Sequence, residues 1–308
     1  MAKKQNRNQD NKKGPEGFES HYSEIYQDRW PVLKAALLAP TKKVARVNPF
    51  ADREQIKRRA QELRKLQFAD VEAFELTPEV RFEPEPDRSG IYDYYLMDPS
   101  SIFAALLCSV KEGMEVLDLC AAPGGKSLLL AERIGSEGSL TCNELSPQRR
   151  ARLRAVLEDY LPKERLNQVR VTGFDGSRWC LHETEAFDRI LVDAPCSGER
   201  HLLANAAELA QWSQARSKNL AVRQYSLLAS ALAVVRRGGR VVYSTCSISP
   251  LEDDSVIARL MKKRAGEVRV VDEKPSGFEF AEKTEFGWMI LPDRSGYGPL
   301  YAAALERI

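Results

Sequence analysis

The sequence lacks the features that mark membrane-spanning, secreted and zinc-stabilised proteins. Its longest apolar stretches, Ile102–Cys108 and Leu227–Val235, fall well short of the ~18 residues of a membrane span. The first residues have neither the apolar centre of a signal peptide nor the Ser-rich amphipathic character of a mitochondrial presequence. The six cysteines are scattered, and no two of them have CxxC spacing. We therefore expect a cytoplasmic protein with reduced cysteines, without a membrane segment and without a metal site.

Net charge is also small, because 46 basic and 44 acidic residues leave only +2. The sum hides an asymmetry along the chain. Residues 1–60 hold 14 basic and 7 acidic side chains, a net of +7, and the remainder carries a net of −5. A basic N-terminal segment on an acidic body is consistent with binding of a polyanion and, equally, with a solvated basic tail.

Two regions precede the main domain. Residues 1–17 are polar, and we predict a disordered basic tail. Residues 18–90 are predicted to be a helical N-terminal region. Its first part has apolar side chains at helical spacing, which favour packing over base stacking: Tyr22, Tyr26, Trp30, Leu33 and Leu37. A second amphipathic helix is predicted over residues 52–66, with its polar face formed by Arg53, Lys57, Arg58, Arg59, Arg64 and Lys65.

Strands and helices alternate from residue 91 to residue 308. The predicted strands cover residues 114–120, 139–143, 168–172, 187–192, 240–244, 267–271 and 299–305. Predicted helices cover residues 125–134, 147–160, 206–236 and 251–263. This alternation predicts an α/β fold in which helices cover both faces of a mostly parallel sheet.

The first of these strands ends in a loop of small residues, LDLCAAPGGKS, that would let a ligand approach the backbone closely. The dinucleotide fingerprint GxGxxG is absent, and a P-loop would need glycine where the chain has Cys120. Acidic residues follow the next two strands, at Glu144 and at Asp175. Together these features favour an adenosine-bearing cofactor without a pyrophosphate, for which S-adenosylmethionine is the leading candidate.

Cysteines follow two neighbouring strands of the predicted sheet. Cys196 lies in DAPCSG and Cys246 in STCS, so both reach the edge where the cofactor should bind. A thiolate there could act as a nucleophile. A lone cysteine at a strand end is more often structural, and we assign that role to Cys108 and Cys180 and a packing role to Cys120 and Cys142.

The motifs LDLCAAPGGKS, DAPCSG and YSTCS, in this order and spacing, resemble those of the RNA (cytosine-C5) methyltransferases of the Nop/Sun type. The segments YYLMDPSS and GPLYAAAL are similar to that family as well. The resemblance covers residues 91–308 and implies a catalytic domain with a Rossmann-like methyltransferase fold of seven strands. Residues 18–50 further resemble the branch that includes the mitochondrial ribosomal-RNA enzymes.

The resemblance also implies roles for individual residues. Cys246 would be the nucleophile that adds to cytosine C6, and Cys196 would assist product release. Asp193 would bind the base, with Lys126 beside it. The implied contacts of S-adenosylmethionine are Cys120, Ala121, Ala122, Pro123, Gly124, Gly125, Lys126, Glu144, Arg149, Asp175 and Asp193. Where the family often has Asn-Glu after the nucleophile, this chain has Glu252-Asp253-Asp254, which leaves the role of that segment open.

The expected substrate is RNA, with ribosomal RNA favoured and transfer RNA as an alternative, and a protein partner could direct the enzyme to it. A non-catalytic RNA-binding factor for ribosome assembly is a second hypothesis, disfavoured by the two cysteines and the intact loop. A DNA or small-molecule methyltransferase is disfavoured because DNA cytosine enzymes have their nucleophile in the fourth-strand motif. Contact with RNA phosphates is assigned to the basic N-terminal region.

Overall fold

A small N-terminal sheet and a large sheet flanked by helices form the protein, in a computed structural model that describes residues 13–76 and 82–308. The helices are α1 (Gly14–Tyr26), α2 (Trp30–Leu38), α3 (Arg53–Ala60), α4 (Pro99–Leu107), α5 (Gly125–Arg133), α6 (Pro147–Tyr160), α7 (Lys163–Leu166), α8 (Glu199–Ala204), α9 (Ala206–Ala210), α10 (Gln214–Val234), α11 (Asp254–Lys263) and α12 (Pro292–Ser295). The strands are β1 (Lys43–Val47), β2 (Lys65–Phe68), β3 (Val71–Leu76), β4 (Tyr94–Met97), β5 (Glu115–Asp118), β6 (Ser139–Asn143), β7 (Val169–Thr172), β8 (Phe187–Asp193), β9 (Val235–Thr245), β10 (Val268–Val271), β11 (Glu282–Lys283), β12 (Trp288–Ile290) and β13 (Leu300–Arg307).

The small sheet has the order β2-β3-β1-β4, and its neighbouring strands are antiparallel. Helix α3 packs on it through Ile56 and Ala60, which share a core with Phe74 and Tyr94. The Tyr94 hydroxyl donates a hydrogen bond to the Ile56 carbonyl at 2.5 Å. The small sheet therefore has its own hydrophobic core.

This sheet corrects the prediction that residues 18–90 are helical. The helix predicted over residues 52–66 ends at Ala60, and Lys65–Phe68 is a strand. Leu66 and Phe68 alternate with polar residues before a turn at Ala69, whose φ is 52°, so the period is that of a strand. Strand β4 pairs with β1 and extends this sheet past the predicted boundary at residue 90.

The predicted disordered tail of residues 1–17 is corrected at its end, because α1 already begins at Gly14. Residues 1–12 lie outside the described part of the chain. The aromatic and leucine side chains of α1 and α2 are confirmed as packing residues. They join the core that covers one face of the large sheet, where Tyr22 and Leu33 are fully buried and Trp30 is 2% exposed.

The large sheet has the order β11-β12-β13-β9-β8-β5-β6-β7, and β10 also pairs with β13. Five neighbouring strands are parallel to one another: β7, β6, β5, β8 and β9. Strand β13 is antiparallel to β9, β10 and β12, and β12 is antiparallel to β11. All seven predicted strands are present, and the short β11 and β12 raise the number above the expected seven. Because β5, β6, β8 and β9 are parallel, their carboxyl ends meet at one edge of the sheet. Within the described residues, we find no helix with the length and apolarity needed to span a membrane.

Replacing Trp30 by Ala removes a buried ring that stacks on Tyr22 with 5.4 Å between ring centroids. We expect Trp30→Ala to lower the free energy of unfolding by about 3–5 kcal/mol, as aromatic-to-alanine changes in cores do. The control is Val32→Ala in the same helix, at a side chain that is 61% exposed. That change should alter the free energy by less than about 0.5 kcal/mol. Urea unfolding followed by circular dichroism measures both variants, and equal losses would contradict this packing.

Candidate active site

The loop between β5 and α5 borders two adjoining cavities at the carboxyl edge of the large sheet. Their volumes are about 210 Å³ and about 610 Å³. Both are lined by Asp98, Ser101, Cys120, Ala122, Pro123, Lys126 and Asp193. A side chain at Gly125 could not fit, because its Cβ would lie 2.6 Å from the Tyr95 ring. The glycine therefore lets β4 approach the loop closely and close the smaller cavity.

Asp118 is a buried carboxyl group in the wall of the smaller cavity. Its Oδ2 accepts a hydrogen bond from the Ser127 hydroxyl at 2.7 Å. No donor of the described residues meets hydrogen-bond geometry at its Oδ1. Burial raises the pKa of Asp118 to about 7. Since buried polar atoms are normally hydrogen-bonded, Oδ1 is suited to accept a bond from a ligand.

An ion pair between Lys126 and Asp193 joins the loop to the end of β8. The Lys126 Nζ atom lies 2.8 Å from Asp193 Oδ2 and 3.2 Å from the Ser101 hydroxyl. Asp193 Oδ1 accepts a second hydrogen bond, from the Ser244 hydroxyl of β9, at 2.8 Å. Burial opposes the charge of Lys126, but the nearby Asp193 carboxylate outweighs it, and the pKa of Lys126 is raised. The pair therefore keeps a cation and an anion at the boundary of the two cavities.

Glu144 follows β6, as predicted, and is buried. Its Oε1 accepts a hydrogen bond from the Ser146 amide at 2.8 Å, and its Oε2 lies 3.4 Å from Arg149 Nη1. Arg149 also donates to the Ala122 carbonyl at 2.7 Å. Arg149 thus connects the acidic end of β6 to the loop after β5.

Asp175 caps the short helical segment Gly176–Leu181. Its Oδ1 accepts hydrogen bonds from the Ser177 hydroxyl at 2.8 Å and the Ser177 amide at 3.1 Å. The bond from the Ser177 hydroxyl lowers the pKa of Asp175, so the group is a carboxylate at neutral pH. Of the predicted cofactor contacts, Gly124, Glu144 and Asp175 are outside the lining of the two cavities.

The two predicted cysteines meet in the larger cavity. Cys196 follows β8, Cys246 follows β9, and their sulfur atoms are 2.8 Å apart. Cys246 is exposed and Cys196 is half-buried. The hydrogen bond with Cys246, together with burial, raises the pKa of the Cys196 thiol. The remaining lining cysteine, Cys120, also has its pKa raised by burial.

Of the three acidic residues after the nucleophile motif, Glu252 and Asp253 bond to the segments that carry the two cysteines, and Asp254 bonds to β13. The donors are the Ser197 amide and the Gln224 side chain for Glu252, the Thr245 hydroxyl for Asp253, and the Tyr301 hydroxyl for Asp254. Glu252 and Asp253 are buried, and burial raises the pKa of each. The segment that departs from the family pattern therefore stabilises the site without lining it.

Sequence reasoning missed several residues of the cavity wall. Asp98 Oδ2 accepts a hydrogen bond from the Gly298 amide at 2.6 Å, so it joins the start of α4 to the turn before β13. Arg200 and His201 line the larger cavity from α8. The sequence contains a pattern that indicates Asp98, because Asp98 and Gly298 lie in the motifs YYLMDPSS and GPLYAAAL, to which no role is assigned above.

Comparisons with known proteins agree with this geometry. The model of the family described as 16S rRNA methyltransferase RsmB/F matches residues 105–306. The mouse 5-cytosine rRNA methyltransferase NSUN4 is 33% identical over 95% of this chain and 88% of its own length. The zebrafish mitochondrial tRNA (cytosine(34)-C(5))-methyltransferase is 33% identical over 94% of this chain and 86% of its own.

Solved structures share the fold at lower identity. The structure of NSun6 from Pyrococcus horikoshii with SFG has a TM-score of 0.75 and 16% identity, and it covers 94% of this chain and 97% of its own. A methyltransferase homologue from the same organism has a TM-score of 0.74 and 22% identity, and it covers 93% of each chain. The Rossmann-like methyltransferase fold expected from the sequence is thereby confirmed.

The buried Asp118 generates a pH dependence of stability. Its pKa is about 7 in the folded protein and 3.8 as the ordinary value, so the folded state keeps a proton that the unfolded state releases between these pH values. Stability from this group is therefore lost as pH rises through 7. Relative to Asp118→Asn, wild type should lose about 2 kcal/mol of unfolding free energy between pH 5 and pH 7. Urea unfolding measures this, and parallel pH profiles of the two proteins would contradict it.

Proposed function

We propose that this chain, which belongs to the 16S rRNA methyltransferase RsmB/F family, methylates a cytosine of ribosomal RNA. The chain is an S-adenosylmethionine-dependent RNA cytosine-C5 methyltransferase. The proposal for its substrate is supported by the match over residues 105–306 and by the rRNA relative that aligns along most of the chain. The observation that carries the proposed mechanism is the meeting of Cys196 and Cys246 beside the Lys126–Asp193 pair.

The smaller cavity and the strand ends outside its lining together fit S-adenosylmethionine. The unpaired Asp118 Oδ1 suits the ammonium group of the methionine part, and Glu144 suits the ribose hydroxyls. Leu145 and Phe174, which are 48% and 46% exposed, offer apolar faces for the adenine ring beside Asp175. When bound, the cofactor supplies a methyl group on a positively charged sulfur.

We assign the attack on the base to Cys246, the more exposed of the two sulfurs. Cytosine C5 is a poor nucleophile, and addition of the Cys246 thiolate to C6 makes C5 electron-rich. After C5 has gained a methyl group, a water molecule takes the C5 proton, the C5–H electron pair forms the C5–C6 double bond, and the C6–sulfur bond breaks with its electrons going to Cys246. The raised pKa of Cys196 keeps it a thiol at neutral pH, which suits a group that assists the departure of Cys246.

Asp193 and Lys126 are proposed to orient the base. The ion pair with Lys126 fixes the position of the Asp193 carboxyl group, so that it can accept a hydrogen bond from the protonated edge of the cytosine. The target base must leave its stack to enter the cavity of about 610 Å³. Unstacking costs a few kcal/mol, which favours a cytosine in a loop or in weakly paired RNA.

Transfer RNA is the second candidate substrate, because the zebrafish relative of equal identity is named as a tRNA enzyme. Bisulfite sequencing of RNA from cells with wild type, with Cys246→Ala and without the protein separates the two. We expect one cytosine of ribosomal RNA to resist bisulfite conversion in cells with wild type and to be converted in the other two. A resistant cytosine confined to transfer RNA would favour the alternative. Resistance in cells with Cys246→Ala would show that Cys246 is not the nucleophile.

Cys196→Ala should leave attack intact and slow release of the product. The expected result is a covalent RNA–protein adduct that survives denaturing electrophoresis. Cys180→Ala, a cysteine outside both cavities, is the matched control and should give no adduct. An adduct that persists in the Cys196→Ala, Cys246→Ala double variant would contradict the assignment.

The N-terminal region is proposed to contact RNA phosphates, through fewer residues than the sequence suggested. Arg59 is paired with the buried Asp93 at 2.8 Å and lies over the Phe82 ring, so it serves the fold. Lys57 and Arg58 remain exposed on α3, where Lys57 forms an exposed ion pair with Glu54 at 2.9 Å. Because exposed ion pairs are weak, these two are better candidates for contact with RNA than Arg59.

Replacing Lys57 and Arg58 by Ala should weaken RNA binding and reduce its salt dependence. Two lost phosphate contacts lower the slope of log K against log salt by about 1–2. Filter binding between low and moderate salt measures the slope. The control is Lys262→Ala with Lys263→Ala, which removes the same charge from the exposed end of α11. Equal slopes for the two double variants would show that the cations of α3 face the solvent without contacting RNA.

A further inference from the structure

A buried carboxylate lies behind both cysteine loops. Glu199, the first residue of α8, is fully buried, and neutral donors point at its two oxygen atoms. The donors are the Tyr22 hydroxyl at 2.7 Å, the Ser247 hydroxyl at 3.2 Å, the Ile248 amide at 3.0 Å and the Ser197 hydroxyl. Carboxyl oxygens accept hydrogen bonds, so these four donors hold the side chain of Glu199 in one position.

This carboxylate joins the two loops that carry the sulfurs. Ser197 directly follows Cys196, and Ser247 directly follows Cys246. Both hydroxyls bond to Glu199, and they lie 3.2 Å from each other. A shift of the carboxylate would therefore move both cysteines, whereas Glu252 bonds only to the first of these two serines.

Helix α1 holds the same junction from the N-terminal side. The Tyr22 hydroxyl bonds to Glu199 across 177 residues of the chain. One turn later, the Tyr26 hydroxyl donates to the Ile248 carbonyl at 2.8 Å. The Tyr22 ring is fully buried and is fixed by stacking on Trp30. Helix α1 thus contacts the loop after Cys246 both directly and through the carboxylate.

We propose that Glu199 and Tyr22 are positioning residues for methyl transfer, which hold Cys246 and Cys196 at the separation and orientation that attack and release require. The inference rests on the roles proposed above for the two cysteines. Neither residue lines the two cavities of the candidate active site. Each acts through the serines and backbone of the loops, so its loss should slow the chemical steps without weakening the binding of S-adenosylmethionine or RNA.

The test compares Glu199→Gln and Tyr22→Phe with wild type in single-turnover methylation of RNA. Misplacement of reacting groups by about 1 Å costs on the order of 100-fold in rate, so we expect a loss of about 10- to 100-fold for Glu199→Gln. Tyr22→Phe removes one of four donors, and we expect a loss of about 3- to 10-fold. The affinity for S-adenosylmethionine and the KM for RNA should stay unchanged in both variants.

Tyr94→Phe is the matched control, because it also removes the hydroxyl of a fully buried tyrosine with a hydrogen bond, here from the small sheet to the Ile56 carbonyl of α3. It should leave the rate unchanged although it loses a similar contact. Circular dichroism at the assay temperature establishes that each variant is folded. If Glu199→Gln does not fold, Tyr22→Phe still decides the question.

Two results would overturn the inference: wild-type rates in both folded variants, or losses matched by Tyr94→Phe and accompanied by weaker binding. The second result would give Glu199 and Tyr22 a structural role only. Cys246→Ala, assayed alongside, separates this failure from failure of the proposed function. An active Cys246→Ala protein would remove the mechanism itself, whereas an inactive one beside fully active Glu199→Gln would remove the positioning role alone.

Discussion

The parallel pairing of β8 with β9 is the constraint on which the site depends. In this register Asp193 lies opposite Ser244, so the two strands end together at one edge of the sheet. The loops that follow them bring Cys196 and Cys246 into contact although the two are 50 residues apart in the chain. A slip of one of these strands by one residue would turn its side chains to the opposite face of the sheet. Hydrogen bonds between the backbones of these two strands thus set the position of the reactive groups.

The ionisable groups around this edge of the sheet differ between the cavities and the protein interior behind them. Lys126 supplies a cation where the two cavities meet, and Asp193 balances it. Deeper in the protein, Glu252 and Asp253 are buried carboxyl groups that accept hydrogen bonds from neutral donors on one oxygen each, and burial raises the pKa of both. A site that binds a positively charged sulfur benefits from an acidic surrounding, because the field favours the cation and opposes binding of free anions.

The sequence predicted the parts of the molecule with a strong local pattern. Helix α6 has the predicted bounds because Pro147 opens it and Ser146 caps it. The small sheet was missed because its strands are only four to six residues long and β1 pairs with β3 and β4 across large gaps in sequence. The cofactor loop and the two cysteines follow strands and were therefore predictable as a group.

Residues that act through contacts distant in sequence left no local pattern. Glu199 accepts a hydrogen bond from Tyr22, and Asp98 accepts one from the Gly298 amide, 200 residues further on. Composition likewise overstated the number of cations available to RNA, because it cannot separate Arg59, which is used within the fold, from Lys57, which is exposed.

The packing of α1 and α2 onto later parts of the chain has a consequence for biosynthesis. Their aromatic side chains contact Trp212 and the core around Ile248, which the ribosome adds long after these helices have emerged. Until then, a nascent chain exposes the rings of Phe18, Tyr22 and Trp30 to the solvent. Such surfaces are bound by chaperones or aggregate during translation. The helices α1 and α2, which contact the site in the folded protein, are thus exposed to aggregation while the protein is being made.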